Sequence, residues 1–211
     1  MRNMTSGAVD RSIAVRITRI ALLVISLVLV SLALANGQSR ADPSDPPVPP
    51  LPEVNAQPNS WTPKFPYPYD STRKSVTDAD ITAMGEMCQW YKVNYKELSR
   101  RIDNFDYNLL QANNDWTVGL IQAQADAVAA NIDQATDFLA PRAQSLTQTT
   151  DYAGDNYFPI YEGESFYRLW QHLSNVGVGI RARNTAWVNG PSVQRFKHWG
   201  SRIQRSHVCD S

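Results

Sequence analysis

Little in this chain announces chemistry. Its 211 residues include only two cysteines and three histidines. Two cysteines make at most one bridge, which excludes a disulfide-dense mini-scaffold and a four-cysteine zinc site. His172, His198 and His207 stand at no metal-ligand spacing from one another or from an acidic helix neighbour. There is no G-x-S-x-G turn, no phosphate loop and no H-E-x-x-H. No catalytic residue, metal or cofactor is therefore expected. Net charge is lacking too: 20 basic residues balance 20 acidic ones. Five arginines but only Asp10 fall in the first forty-one residues, so the remainder is acidic. A nucleic-acid binder needs the opposite sign.

What is present begins with Ile20–Ala35, IALLVISLVLVSLALA. Arginines precede this run and a short polar stretch follows it, the layout of a secretory signal. Ala33-Leu34-Ala35 and Ser39-Arg40-Ala41 both suit cleavage, and the second is preferred. Sixteen residues fall short of the ~20 that a helix needs to cross a bilayer core. Residues 1–41 are thus expected to be a signal peptide, with an uncleaved single-pass anchor as the alternative. Either arrangement leaves the rest of the chain outside. No cysteine follows the run and no Arg-Arg pair precedes it, which excludes a lipoprotein anchor and disfavours the twin-arginine route.

The passage from Ala33 through Ser39-Arg40-Ala41-Asp42-Pro43-Ser44-Asp45-Pro46-Pro47-Val48-Pro49-Pro50 resembles exported proteins of mycobacteria and their relatives. In these a signal is often followed by Asp-Pro and a Pro-rich arm. The resemblance covers about a quarter of the chain and implies a compartment, secreted or cell-envelope, with no activity attached.

Residues 42–74 read as that arm. Ten of the thirteen prolines lie between Pro43 and Pro68. Proline has no N–H to donate and favours polyproline II, so the arm is expected to be extended and disordered. At ~3.1 Å per residue it could span on the order of 80 Å. Its aromatic end, Trp61 to Tyr69, could dock on a partner. The preferred reading is a strap across the chain's own bundle, because so much aromatic surface is rarely left in water.

Residues 75–211 read as an all-α, up-and-down helical bundle. Thr77 is a good N-cap, and the acids after it suit a helix N-terminus. Ile81, Met84, Cys88, Tyr91, Tyr95, Leu98, Ile102, Phe105 and Leu109 repeat at 3,4 spacing, the pattern of a long helix with a bundle or coiled-coil seam. Phase is lost at 111–116. A second stripe follows at Val118, Ile121, Ala125, Val128, Ile132, Ala135 and Leu139, with Pro141 expected to end or kink it. Together these predict a long antiparallel hairpin. The turn Trp116-Thr117-Val118-Gly119 is one residue longer than the Trp-x-Gly turn of small secreted helical hairpins, so that resemblance is set aside.

Two C-terminal helices are expected. One runs from Glu164 to Trp187 with Phe166, Leu169, Leu173, Val176 and Ile180 inward. The other, after Asn189-Gly190-Pro191, carries Val193, Phe196 and Ile203. Cys88 and Cys209 are expected to pair, as lone cysteines in an exported chain commonly do.

Two surfaces remain as candidates. The loop 149–163 holds Tyr152, Tyr157, Phe158 and Tyr161 among acids including Asp155 and Glu162. That composition suits a sugar, a cation or a protein partner, or a cap closing the bundle's end. The last helix offers Arg195, Lys197, Arg202 and Arg205 beside His198 and His207. This is a basic face for an anionic lipid or wall polymer, or simply a solvated face. The expectation is a binding or scaffolding module for an envelope protein, wall or lipid component. One alternative is an extracellular enzyme at the aromatic loop, which would need a carboxylate partner for His172. Another is a carrier with an apolar cavity between the first and third helices.

Overall fold

The computed structural model describes residues 48–63, 76–150, 154 and 156–210. The signal-like segment, the arm on either side of 48–63, and Tyr152 and Asp155 lie outside the described residues. Those described form an all-α fold. The first long helix is α1 (Asp78–Trp90), a five-residue π-helical segment (Tyr91–Tyr95) and α2 (Lys96–Gln111) in succession. Then come α3 (Gly119–Ser145), α4 (Gly163–Arg181), the single turn α5 (Thr185–Val188) and α6 (Pro191–Ser206). A two-residue antiparallel ladder between β1 (Thr149–Thr150) and β2 (Asn156–Tyr157) closes the connection from α3 to α4. α3 packs against α1 and α2, and α4 lies between α3 and α6.

Local chemistry explains the boundaries. Thr77 and Asp80 form a reciprocal capping box at the start of α1: Thr77 N–H donates to Asp80 Oδ2 at 2.8 Å, and Asp80 N–H donates to Thr77 Oγ1 at 3.2 Å. Asp80 does more than cap. Buried, it also accepts from the Thr147 amide (2.7 Å) and hydroxyl (3.0 Å), tying the start of α1 to the chain just past α3. Burial pushes its carboxyl up, but the hydrogen bonds from Thr147 and Thr77 outweigh that and hold it below its ordinary value. At the far end of the hairpin, Asn113 and Asn114 take left-handed φ of 54° and 60°. Their amides bond the carbonyls of Leu110 and Leu109, a Schellman stop.

The expected stripes form the core. Met84, Leu98, Ile102, Phe105, Leu109, Ile132, Leu139, Phe166, Leu169, Leu173, Val176, Ile180 and Phe196 are all buried. Three expectations need correction. The first helix is not regular throughout: in the π segment Asn94 is buried while Tyr91 and Tyr95 are half-buried, stacked on each other at 4.6 Å. Their hydroxyls donate across to the carbonyls of Gly200 (2.7 Å) and Lys197 (3.4 Å) on α6. Only a glycine at 200 leaves room for the Tyr95 ring.

Second, Pro141 does not end α3, which runs through it to Ser145. Beyond the proline, Arg142 donates to the Phe138 carbonyl (2.7 Å), lies over the Phe138 ring and pairs with Glu86 of α1 at 2.6 Å. Third, the helix from Glu164 stops at Arg181 instead of continuing to Trp187. Arg183 turns left-handed (φ 53°), its amide and that of Asn184 bond back to Ile180 and Gly179, and Asn184 caps α5. The guanidinium of Arg183 is held by Asp126 (2.7 Å) and lies over the Trp116 ring. Trp187 then folds back on Gly179, where any side chain would collide with it.

The arm also departs from a free tail over its described part. Residues 48–63 carry no regular secondary structure yet lie along the bundle, with Leu51 and Trp61 buried. A proline-rich backbone has carbonyls to satisfy and few N–H groups to offer. Here bundle side chains serve it. Gln134 accepts from the Leu51 amide (3.0 Å) and donates to its carbonyl (2.9 Å). Gln89 does the same for Gln57, at 3.1 and 2.9 Å. Asn94 donates to the Pro52 carbonyl at 3.1 Å, and Arg101 to that of Pro49. Trp61 Nε1 donates to the Val208 carbonyl at 2.8 Å, beside Cys209. Part of the expected strap is thus in place, and it starts well before the aromatic end.

Candidate functional site

Cys88 of α1 and Cys209, beyond α6, lie at disulfide distance with Cα atoms 5.1 Å apart. Their bond closes the tail that carries Val208 onto α1, and so fixes the acceptor for Trp61.

In the aromatic loop, two of the six candidate residues, Tyr152 and Asp155, lie outside the described residues. Phe158 is buried and meets the Tyr167 ring at 5.2 Å. Glu162 stands at left-handed φ of 60°, with its side chain only 6 % exposed. It accepts from the Ser165 hydroxyl and from Arg202 Nε, the latter at 3.1 Å. These two residues therefore close the end of the bundle. Tyr157 and Tyr161 stay half-buried at its rim.

The basic face divides as well. Lys197 pairs with Asp103 of α2, Arg202 with Glu162 while lying over the Trp199 ring at 5.4 Å, and Arg205 donates to Ser201 at 2.8 Å. Arg195 points the other way, toward α4. The four cations do not converge on one ligand.

What does converge is a groove between α4 and α6, of about 600 Å³. From α4 it takes Arg168, Gln171, His172 and Asn175, and from α6 Arg195, His198 and Trp199. Positions i, i+3, i+4 and i+7 of one helix thus face i, i+3 and i+4 of the other. Arg168 reaches Glu164 at 3.6 Å and Gln171 at 3.0 Å. His172 Nδ1 is buried and has no hydrogen-bond partner. Burial, then the nearby charges of Arg195 and Arg168, push this imidazole below its ordinary pKa, so at neutral pH it is uncharged. No carboxylate lines the groove, so the acid partner that an enzyme centred on His172 would need is not among its walls.

Of these residues, sequence reasoning singled out Arg195 as part of a basic face, along with His198, and His172 as an enzyme candidate. Arg168, Gln171, Asn175 and Trp199 went unnoticed. The signal for the first three was a polar stripe on α4 away from its Phe166–Leu169–Leu173–Val176 stripe. Between the first helix and α4, where a carrier would need space, Tyr91 meets Phe166 edge-on at 6.2 Å and the neighbouring leucines are buried.

Comparison with family models, with curated proteins and with solved structures finds no match to this chain. Among the described residues no helix is long and apolar enough to cross a membrane.

Proposed function

We propose that the chain is an exported binding module: a helical bundle delivered outside the cytosol by its N-terminal signal, oxidised there, and presenting a fixed surface to an envelope protein, wall or lipid component. The observation that carries the reading is the Cys88–Cys209 pair. A chain with two cysteines, both placed to bond across a separation of 121 residues, is suited to an oxidising compartment. The apolar run behind arginines points the same way. Recognition is favoured over catalysis because the groove at His172 offers guanidinium groups, amides and an indole, donors and a flat apolar face that bind and orient.

The test is to recover the protein from the extracytoplasmic fraction of cells that express it. N-terminal sequencing is expected to give a start at Asp42, and thiol labelling is expected only after reduction. A carboxyl-terminal reporter facing the cytosol, or equal labelling before and after reduction, would contradict the reading. If the aromatic loop also takes part, Tyr157→Ala with Tyr161→Ala abolishes recovery of an envelope partner while leaving the fold intact.

A further inference from the structure

We propose that the groove between α4 and α6 is a binding site for an acidic saccharide, a sugar bearing a phosphate or carboxylate group. Arg168 and Arg195 hold the anion and Trp199 lies against the ring.

The walls supply each part of that chemistry. Guanidinium groups match oxyanions with paired donors. Arg168 and Arg195 come from different helices and line the same groove on either side of His172. Arg168 has Glu164 as a partner at 3.6 Å, whereas Arg195 has no ion pair among the described residues. The sign of the groove is therefore positive. Gln171, whose Oε1 already accepts from Arg168 at 3.0 Å, and Asn175 present amide groups suited to hydroxyls, and the half-buried indole of Trp199, with Arg202 over its ring at 5.4 Å, adds an apolar wall for a sugar ring.

His172 is the second observation. Its ring lines the groove, and its Nδ1 is buried without a hydrogen-bond partner, as are Asn94 Oδ1, Thr149 Oγ1 and Arg183 Nη1 elsewhere. Nδ1 itself is covered, so an anion in the groove acts on this ring through its charge. The groups facing it are Arg168, backed by Glu164, on its own helix, and Arg195 with His198 on α6. A bound anion offsets the two guanidinium charges that disfavour the imidazolium. Ligand and proton are thus expected to bind together, with tighter binding as pH falls from 7.5 toward 5.5.

The inference rests on the binding-module reading for its purpose, but its test does not depend on compartment. Glucose 1-phosphate, glucuronate, glucose and inorganic phosphate are titrated into the oxidised full chain, followed by calorimetry and by the NMR signal of the His172 ring. Both acidic sugars are expected to saturate, at least ten-fold tighter than glucose, and to shift that signal. R168Q with R195Q is expected to weaken them ten-fold or more. R205Q, whose guanidinium bonds Ser201 on another face, is expected to change nothing. W199L should weaken the acidic sugars and leave inorganic phosphate alone.

Absence of saturation by both acids, or a His172 signal unmoved by them in the unaltered chain, overturns the proposal. So does undiminished binding in the double variant. Inorganic phosphate binding as tightly as glucose 1-phosphate removes the sugar from it. None of these results touches the export and oxidation experiments, so the two readings fail separately.

Discussion

On the side of the bundle built from α1, α2 and α3, a set of polar side chains is turned on the proline-rich strap, whereas a set between α4 and α6 faces a groove. Gln89, Asn94, Arg101 and Gln134 all end on the backbone of the proline-rich strap. Their counterparts Arg168, His172 and Arg195 line an open groove. The first set is matched to carbonyls at fixed positions and cannot be altered without a structural cost. The second bears little of the fold, which leaves it open to a ligand. The difference separates polar groups that build the molecule from those available to use it.

The largest effect that would break the strap side is loss of the disulfide. Closing a loop of 121 residues is worth about 4–5 kcal/mol on the chain-entropy model. Reduction, or Cys88→Ala with Cys209→Ala, is expected to lower the denaturation free energy by close to that amount. It should also loosen Trp61, whose acceptor Val208 adjoins Cys209.

Next comes Arg101, 8 % exposed, whose guanidinium joins Glu97 (2.8 Å), Asn131 and the Pro49 carbonyl. Arg101→Met strands buried acceptors and is expected to cost about 3 kcal/mol, read from denaturant melts. Protease cleavage near Pro49 should rise in parallel.

Asp80→Asn removes a charged acceptor serving both Thr77 and Thr147, and is expected to cost about 2 kcal/mol. Its carboxyl sits below the ordinary 3.8 in the folded state, so the unfolded chain takes up the proton more readily. The stabilisation is present above that ordinary value and lost as pH falls through the folded one. Acid melts of Asp80→Asn should therefore be flatter there than those of the unaltered chain.

Gln134→Leu removes both hydrogen bonds to Leu51 and should cost about 1–2 kcal/mol, with faster exchange at the Leu51 amide. The smallest effect falls on the groove side. The His172 imidazole is disfavoured as a cation when folded, so the unfolded chain binds that proton better. Stability contributed by the neutral ring is full above its ordinary 6.5 and declines as pH falls below it. His172→Gln should remove that slope and leave neutral-pH stability nearly unchanged.

The apolar stripes made the bundle legible. Spacings of three and four from Met84 to Leu109 and from Phe166 to Ile180 can be buried in few other ways. The π segment was hidden because Tyr91 and Tyr95 keep the 3,4 pattern while the backbone turns Asn94 inward. Pro141 does not stop α3 because one missing N–H four residues from a helix end costs less when Arg142 secures the next turn. The strap's pairing could not be read from side-chain patterns, since its bonds run to carbonyls that every residue possesses. The groove needs two stripes some twenty residues apart to meet, and only the packing of α4 on α6 brings them together.

The measurement that bears most directly on the division between the two sides is amide hydrogen exchange in the oxidised full chain. Leu51, bonded to Gln134, and Gln57, bonded to Gln89, are expected to exchange at least a hundred-fold more slowly than in an unstructured peptide. Exchange of both at the unstructured rate, with the core of α4 still protected, would mean that the proline-rich segment is not part of the fold.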